Sequence, residues 1–131
     1  MSLPNAIEQE VVLPAPPARV YEVLTSSEQF TAAAGGRAAT IDATEGGAFS
    51  LFAGAIHGRC VELVSATRIV QAWRVKMWEP GKYSIVSFAL AAEGSGTRVK
   101  LQHAGFPSGQ DEHLSAGWKA NYWEPLAKYL G

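Results

Sequence analysis

The sequence predicts an α+β fold in which a curved antiparallel β-sheet wraps around one long C-terminal α-helix. Three observations lead to this prediction: an alternating segment at the start, a series of alternating segments between glycine-containing turns in the middle, and a helical repeat of aromatic residues at the end. A period of two residues indicates strands, and a spacing of three and four indicates a helix. Strands that follow one another through short turns form an antiparallel sheet.

The N-terminal part of the chain is predicted to contain one strand and two short helices. Residues Ile7–Leu13 alternate imperfectly and include β-branched side chains, which favours a strand. The Pro16-Pro17 pair suits a helix start, and Val20, Val23 and Leu24 recur at helical spacing. A second helix is predicted from a serine cap, two polar residues and a terminating glycine pair, namely Ser26 or Ser27, Glu28, Gln29 and Gly35-Gly36.

The middle of the chain is predicted to form six strands of a meandering sheet. They cover residues 37–43, 48–53, 56–64, 68–76, 83–92 and 97–103, and the first has the least regular alternation. The short Gly54-Ala55 connection is typical of a hairpin. Turns are also predicted at Glu79-Pro80-Gly81 and at Gly94-Ser95-Gly96, because proline and glycine set the backbone angles that turns require.

A long helix is predicted from Asp111 onward, with aromatic rings along one face. That face has spacings of four, four, three and four residues and consists of Leu114, Trp118, Tyr122, Pro125 and Tyr129. Asp111 and Glu112 stand at its start, where the helix dipole favours negative charge. Pro125 removes one backbone hydrogen bond and crowds the turn before it, so we expect a kink or a break there. The aromatic face is expected to cover the concave side of the sheet.

The composition is that of a globular domain. A chain of 131 residues can bury a hydrophobic core, and one domain over residues 1–131 is predicted. With 47% hydrophobic residues the chain is too apolar for disorder, yet no apolar run approaches the roughly 20 residues that span a bilayer. The net charge of -1 provides no general attraction to nucleic acid or to a membrane surface, so neither is predicted as a partner.

The expected compartment is the cytoplasm. The single cysteine, Cys60, cannot form a disulfide within the chain, which agrees with a reducing environment. Residues 1–5 contain neither a basic segment nor an apolar stretch of signal-peptide length.

No arrangement of residues in the sequence indicates a catalytic, cofactor or metal site. The three histidines, His57, His103 and His113, lack the close spacing that a helical or cysteine-containing zinc site shows. Ser95 stands in a Gly-Ser-Gly turn without the frame of a hydrolase nucleophile, and the glycine pairs do not form a phosphate-binding loop. The sequence therefore favours a protein that is not an enzyme and that needs no cofactor.

Two charged residues, Glu62 and Arg74, lie within predicted strands. Either they form a polar pair at a pocket, or they belong to an ordinary cross-strand ion pair or a solvated outer face. Strand register is not fixed by the sequence, and we favour the second interpretation.

The aromatic residues are the best candidates for a binding site. Phe49, Trp73, Phe88, Trp118 and Tyr122 are predicted to line an apolar pocket between sheet and helix. His103 ends the last strand and is expected to offer a polar group near the pocket mouth. The alternative is a filled core, because aromatic rings at helix and strand spacing commonly serve only packing; the two interpretations are weighted equally.

From about Phe49 onward the chain resembles a known family. The residues that carry the resemblance are, in order, Phe52-x-Gly54-x-Ile56-x-Gly58, Glu62-Leu63-Val64, Arg68-Ile69-Val70, Trp73-Arg74, Trp78, Pro80-Gly81, Tyr83, Gly96-Thr97, Gly105-x-Pro107 and residues 117–123. Together they resemble the C-terminal domain of the activator of heat shock protein 90 ATPase family. That family belongs to the START-like, Bet v 1-like (SRPBCC) superfamily, so the resemblance implies a helix-grip fold that commonly encloses a cavity.

Three functional hypotheses follow. The first is binding of a small hydrophobic or amphipathic molecule in the sheet-helix cavity, without covalent chemistry. The alternative, implied by the resemblance, is a co-chaperone-like or regulatory protein-interaction module with a heat-shock chaperone as its partner. The third is a cyclase-like or hydratase-like enzyme, since relatives with this fold use a few polar groups in the pocket for such chemistry.

Overall fold

The computed structural model of the chain describes residues 6–131; residues 1–5, on which part of the compartment prediction rests, lie outside the described residues. Its strands are β1 (Ile7–Leu13), β2 (Thr40–Ile41), β3 (Ala48–Leu51), β4 (Ile56–Val64), β5 (Arg68–Val75), β6 (Ser84–Glu93) and β7 (Gly96–Ala104). Its helical segments are α1 (Pro17–Thr25), α2 (Ser27–Ala33), α3 (Asp111–Gly117), a π-helical segment (Trp118–Trp123) and α4 (Glu124–Leu130). The predicted α+β fold is confirmed.

The strands form one seven-stranded sheet in the order β1-β7-β6-β5-β4-β3-β2, and every neighbouring pair is antiparallel. Strands β2 to β7 follow one another as a meander, whereas β1 pairs with β7 at the far edge. Burial alternates along β6, where Ser84, Val86 and Phe88 are buried and the residues between them are more exposed. One face of the sheet is therefore turned toward the helices.

Close strand pairing and a bulge shape the middle of the sheet. The register of β4 against β5 shifts between Cys60 and Glu62, and a bulge of this kind bends and twists its strand. A side-chain carbon added to Gly58 would lie 1.8 Å from the Ala72 carbonyl oxygen and 2.9 Å from the Phe49 ring. Glycine is therefore required at position 58, where it lets the Phe49 ring lie against the strand.

The two short helices agree with their predicted end signals. Helix α1 begins after Pro16 with Pro17 at its first position, and α2 is capped by the Ser26 hydroxyl, which accepts a hydrogen bond from the Gln29 backbone N–H at 3.2 Å. After α2, Gly35 has a φ of 71°, a left-handed conformation that glycine adopts without strain. Of the predicted strand over residues 37–43, only Thr40–Ile41 pairs with a neighbour.

The C-terminal helix continues through Pro125 instead of breaking there. The irregularity lies just before it, in the π-helical segment, where the Glu124 N–H donates to the carbonyl of Lys119 five residues earlier. Pro125 then occupies the first turn of α4, where a missing N–H is tolerated. The widened turn places Trp118, Tyr122 and Trp123 together on the buried side. Within residues 6–131, no helix combines the length and the apolar character needed to cross a bilayer.

Candidate functional site

The six predicted site residues are all buried between the sheet and the C-terminal helix. They are Phe49, Trp73, Phe88, His103, Trp118 and Tyr122. Trp118 lies at the centre of the group, with ring centroids 5.7 Å from Trp73, 5.7 Å from Phe88, 5.6 Å from His103 and 4.2 Å from Tyr122. We call Trp73, Phe88, His103, Trp118 and Tyr122 the aromatic cluster. Phe49 is buried on β3 but makes no ring-ring contact with them among the described residues.

The aromatic cluster is extended by further aromatic residues, which the sequence pattern did not assign to the site. The Phe52 ring lies 5.5 Å from Tyr122 and 5.5 Å from Phe30, and Trp123 lies 5.9 Å from Trp118. Phe52 sits in a turn after β3, where strand alternation no longer tells which way a side chain points. Trp123 falls outside the regular helical face, and only the π-helical segment brings it inside.

His103 is fully buried, with no exposed surface. The indole N–H of Trp118 donates to His103 Nδ1 at 3.0 Å, so that nitrogen carries no proton. His103 Nε2–H then donates to the Ser84 hydroxyl at 2.7 Å, and that hydroxyl donates to the Trp73 carbonyl at 3.0 Å. Both ring nitrogens are occupied, and His103 serves to fix Trp118 between sheet and helix.

Burial keeps His103 neutral. Removal from water lowers the pKa of its imidazole from the ordinary 6.5 to about 4, because the charged form loses its hydration. The hydrogen bonds act in the same direction, since a protonated Nδ1 would face the Trp118 N–H donor. The arrangement is thus stable only with the neutral ring.

Space remains at one end of the aromatic cluster, where α3 crosses the ends of β4 and β5. The cavity there has a volume of about 180 Å³ and is lined by Phe52, Ala55, Ile56, Trp73, Val75, His113, Leu114, Gly117, Trp118, Asn121 and Tyr122. Ligand pockets for drug-sized molecules typically measure about 300–1,000 Å³, whereas a cavity of about 150 Å³ has room for benzene. Of the six predicted residues, Trp73, Trp118 and Tyr122 line it, while Phe49, Phe88 and His103 do not.

Two buried polar atoms in the cavity residues have no hydrogen-bond partner: Nε1 of Trp73 and the hydroxyl of Tyr122. Burial raises the pKa of Tyr122 well above its usual range, and the nearby Trp73 indole offsets this only in part. The Trp73 indole N–H thus lowers the pKa of the Tyr122 hydroxyl, but the two groups do not meet the geometry of a hydrogen bond. Such unpartnered atoms are unusual, because leaving a buried donor unsatisfied costs about 1–3 kcal/mol.

The turn beside the cavity is strained. Phe52 and Ala53 have φ values of 54° and 56°, a left-handed conformation that residues other than glycine rarely adopt. The Arg37 guanidinium lies over the Phe52 ring, 4.7 Å from its centroid, and holds the ring from outside. Strain of this kind persists only where the surrounding packing imposes it.

Glu62 and Arg74 do not form a polar pair at a pocket. Glu62 forms a cross-strand ion pair with Arg68 at 3.0 Å, and both side chains are about half exposed. Arg74 is buried and donates instead to backbone carbonyls of the loop after β5. The favoured interpretation of an ordinary ion pair is confirmed for Glu62, and Arg74 has a role that the sequence did not suggest.

Comparison with known proteins gives one consistent family. The model of the family described as "Activator of Hsp90 ATPase homolog 1-like protein" matches residues 14–131. Activator of 90 kDa heat shock protein ATPase homolog 1 of Homo sapiens is 29% identical over 118 residues, which cover 88% of this chain and 34% of that protein. The Dictyostelium discoideum homologue is 36% identical over 83 residues, 63% of this chain and 22% of that one. This chain thus spans about a third or less of these relatives.

Solved structures also include a protein called an HSP90 activator among those with a similar fold. PFC0360w of Plasmodium falciparum, called an HSP90 activator, superposes with a TM-score of 0.90 at 28% identity and covers 96% of both chains. Protein CV1439 of Chromobacterium violaceum has a TM-score of 0.80 at 28% identity over 98% of both chains. CalU16 of Micromonospora echinospora has a TM-score of 0.80 at 22% identity, with 100% of this chain and 82% of that chain covered, and shares the fold.

Proposed function

Since the chain belongs to the Activator of Hsp90 ATPase homolog 1-like family, we propose that it is a cytoplasmic protein-interaction module that binds an Hsp90-type chaperone and regulates its ATPase. The observation that carries this proposal is the extent of the likeness to PFC0360w, a protein called an HSP90 activator, which covers 96% of both chains at a TM-score of 0.90. The likeness therefore concerns the whole described fold and not one shared motif.

The geometry of the interior supports a function at the surface. The aromatic cluster fills most of the space between sheet and helix, and the polar nitrogens of His103 are used to hold Trp118. The cavity lining contains no carboxylate, so it lacks the pair of convergent acid and base groups that an enzyme of this fold would use. A regulatory module needs neither, because it acts by binding one state of its partner better than another.

An ATPase assay tests this proposal. The full chain is titrated into a purified Hsp90-type chaperone, and the rate of ATP hydrolysis and the binding isotherm are measured together. We expect a saturable change in the rate whose midpoint agrees with the Kd from calorimetry. Absence of binding at concentrations that saturate a known family activator, run in parallel, would refute the proposal.

A second candidate function, binding of a small apolar molecule, is favoured by the cavity of about 180 Å³ beside Trp118. Its size fits a compact ring-sized molecule, and its wall contains the unpartnered polar atoms of Trp73 and Tyr122. The occupant would have an apolar body, because most of the lining side chains are aliphatic or aromatic. Trp73, Trp118 and Tyr122 would contact it, with Phe49, Phe88 and His103 as the packing behind them.

Thermal unfolding with a panel of small aromatic and aliphatic compounds tests this second function. A ligand at about 100 times its Kd raises the unfolding free energy by about 2.7 kcal/mol, which is readily measured as a rise in Tm. Val75→Phe fills the cavity from a half-buried strand position, so it should remove the rise while the protein stays folded. Val61→Phe, at an exposed position on β4, is the matched control and should leave the rise intact.

A further inference from the structure

The loop between β5 and β6 displays apolar side chains at one end of the molecule. Met77 is 92% exposed, and Tyr83 and Ile85 are 49% and 50% exposed. Flexible methionine and aromatic side chains are enriched at protein interfaces. Met77 is the most exposed of the large apolar side chains in the described residues, and together with Tyr83 and Ile85 it marks a surface that a partner can cover.

Arg74 holds this loop in one shape. Arg74 as a residue is only 6% exposed. Its guanidinium donates to four backbone carbonyls of the loop: Trp78 at 2.6 Å, Glu79 at 2.8 Å, and Lys76 and Lys82 at 3.3 Å each. Lys76 and Lys82 lie on the two opposite legs of the loop. Because one rigid fork binds both legs, the loop is closed at its base before any partner arrives.

Two ring contacts connect the loop to the body of the protein. The Trp78 ring packs edge-on against Trp73 of the aromatic cluster, with centroids 5.9 Å apart. On the other side of the sheet, the Arg74 guanidinium lies 5.7 Å from the centroid of Tyr83. A loop that is ordered in advance loses little conformational entropy when it binds, which favours affinity.

The charge on this loop is positive. Arg74 has no carboxylate at ion-pair distance in the described part of the chain. Lys76 and Lys82 are exposed beside Met77 and Tyr83, and Glu79 is the single acidic residue of the loop over residues 76–83. Within residues 76–83, two lysines against one glutamate leave an excess of one positive charge beside the apolar side chains. The complementary partner surface is acidic and surrounds an apolar notch.

We propose that this surface, the β5–β6 tip made of Lys76, Met77, Lys82, Tyr83 and Ile85, docks onto an acidic surface of the Hsp90-type chaperone. Met77 enters an apolar notch, and the two lysines lie against carboxylates at its rim. This inference rests on the proposed function and names the part of the molecule that performs it. Arg74 is a positioning residue: it shapes the tip and does not itself touch the partner.

Substitutions at the tip test the proposal directly. The full chain and its variants are titrated against the purified chaperone by calorimetry. Met77→Asp should weaken binding about tenfold or more, because a carboxylate would enter the apolar notch. The pair Lys76→Glu and Lys82→Glu should weaken it further at low salt and remove its salt dependence. All three positions are exposed, so these variants should unfold like the parent protein.

Matched controls lie on other surfaces. Val61→Asp places the same charge at a side chain that is 51% exposed on β4, and Lys119→Glu reverses a charge on the C-terminal helix. Both should bind as the parent does. If the parent binds but the tip variants bind equally well, docking by the tip is wrong while the proposed function stands. If the parent protein itself does not bind the chaperone, both the docking proposal and the proposed function are wrong.

Arg74→Lys tests the positioning role separately. It keeps the positive charge but cannot bind four carbonyls from one planar fork. We expect faster amide hydrogen exchange over residues 76–83, weaker binding, and little change in exchange around Trp118. Unchanged exchange in the loop would remove Arg74 from the proposal.

Discussion

The aromatic cluster and the β5–β6 tip both combine large apolar side chains with one buried polar residue, but the cluster is buried and the tip is exposed. In the cluster, Trp118 and its neighbours are buried, and the imidazole among them, His103, is neutral with both nitrogens bonded. At the tip, Met77 is exposed, and the buried polar group beneath it, Arg74, donates through its two terminal nitrogens to backbone carbonyls. Burial can neutralise histidine because its pKa lies near neutrality, whereas the arginine guanidinium stays charged at any ordinary pH.

The difference teaches what each buried polar group stabilises. His103 links a strand to the helix, so its loss should affect the whole fold. Arg74 links the two legs of one loop, so its loss should affect mainly that loop. Substitutions in the two regions should therefore separate global stability from binding.

The largest expected effect is that of Trp118→Ala. Removing a buried tryptophan leaves a cavity and costs about 3–5 kcal/mol, and here it also leaves His103 Nδ1 without its donor. Urea unfolding should show this loss. Met77→Ala, at the exposed tip, should change the unfolding free energy by no more than about 0.5 kcal/mol. Similar losses of unfolding free energy for the two variants would show that the two regions do not differ in their contribution to stability.

Acid should weaken the cluster next most strongly. The pKa of His103 is about 4 in the folded state and near 6.5 when unfolded. Its contribution is therefore fully present above about pH 6.5 and is lost as the pH falls toward 4, by about 3 kcal/mol in total. His103→Gln keeps a hydrogen-bonding side chain that does not titrate. The difference between parent and variant in unfolding free energy should shrink over this pH range; parallel curves would show that His103 does not stay neutral.

The smallest expected effect is at the surface ion pair of Glu62 with Arg68. Both side chains are about half exposed, so solvent screens their attraction. Glu62→Gln should lower the unfolding free energy by no more than about 0.5 kcal/mol, and less in high salt. Thermal unfolding at two salt concentrations measures this. A loss above about 1 kcal/mol would mean that the pair acts within a larger network.

Much of the fold could be predicted because local patterns report it. The strands Ile7–Leu13 and Ile56–Val64 have their predicted bounds, and the serine cap of α2 and the glycines after it lie where the sequence signals place them. Alternation, caps and turn residues act over a few neighbours, so they can be read along the chain. The strand predicted over residues 37–43 shrinks to Thr40–Ile41 because its alternation is weak and its partner β3 is short.

The site was predictable only in part. The burial of Trp73, Trp118 and Tyr122 followed from their spacing, but the partners of His103 and Arg74 did not. Ser84 and Trp118 reach His103 only because β6 lies beside β7 and the helix crosses above them. The carbonyls that hold Arg74 carry no side-chain signal in a sequence.

The sequence by itself determined which segments are strands and helices, which of their faces are apolar, and to which family the chain is similar. Those properties depend on residues that are neighbours along the chain. The tertiary structure decided that a π-helical segment turns Trp123 inward, that a cavity of about 180 Å³ remains beside Trp118, and that a buried arginine holds the loop that carries Met77. These depend on strand register and on contacts between distant residues, which local patterns do not specify.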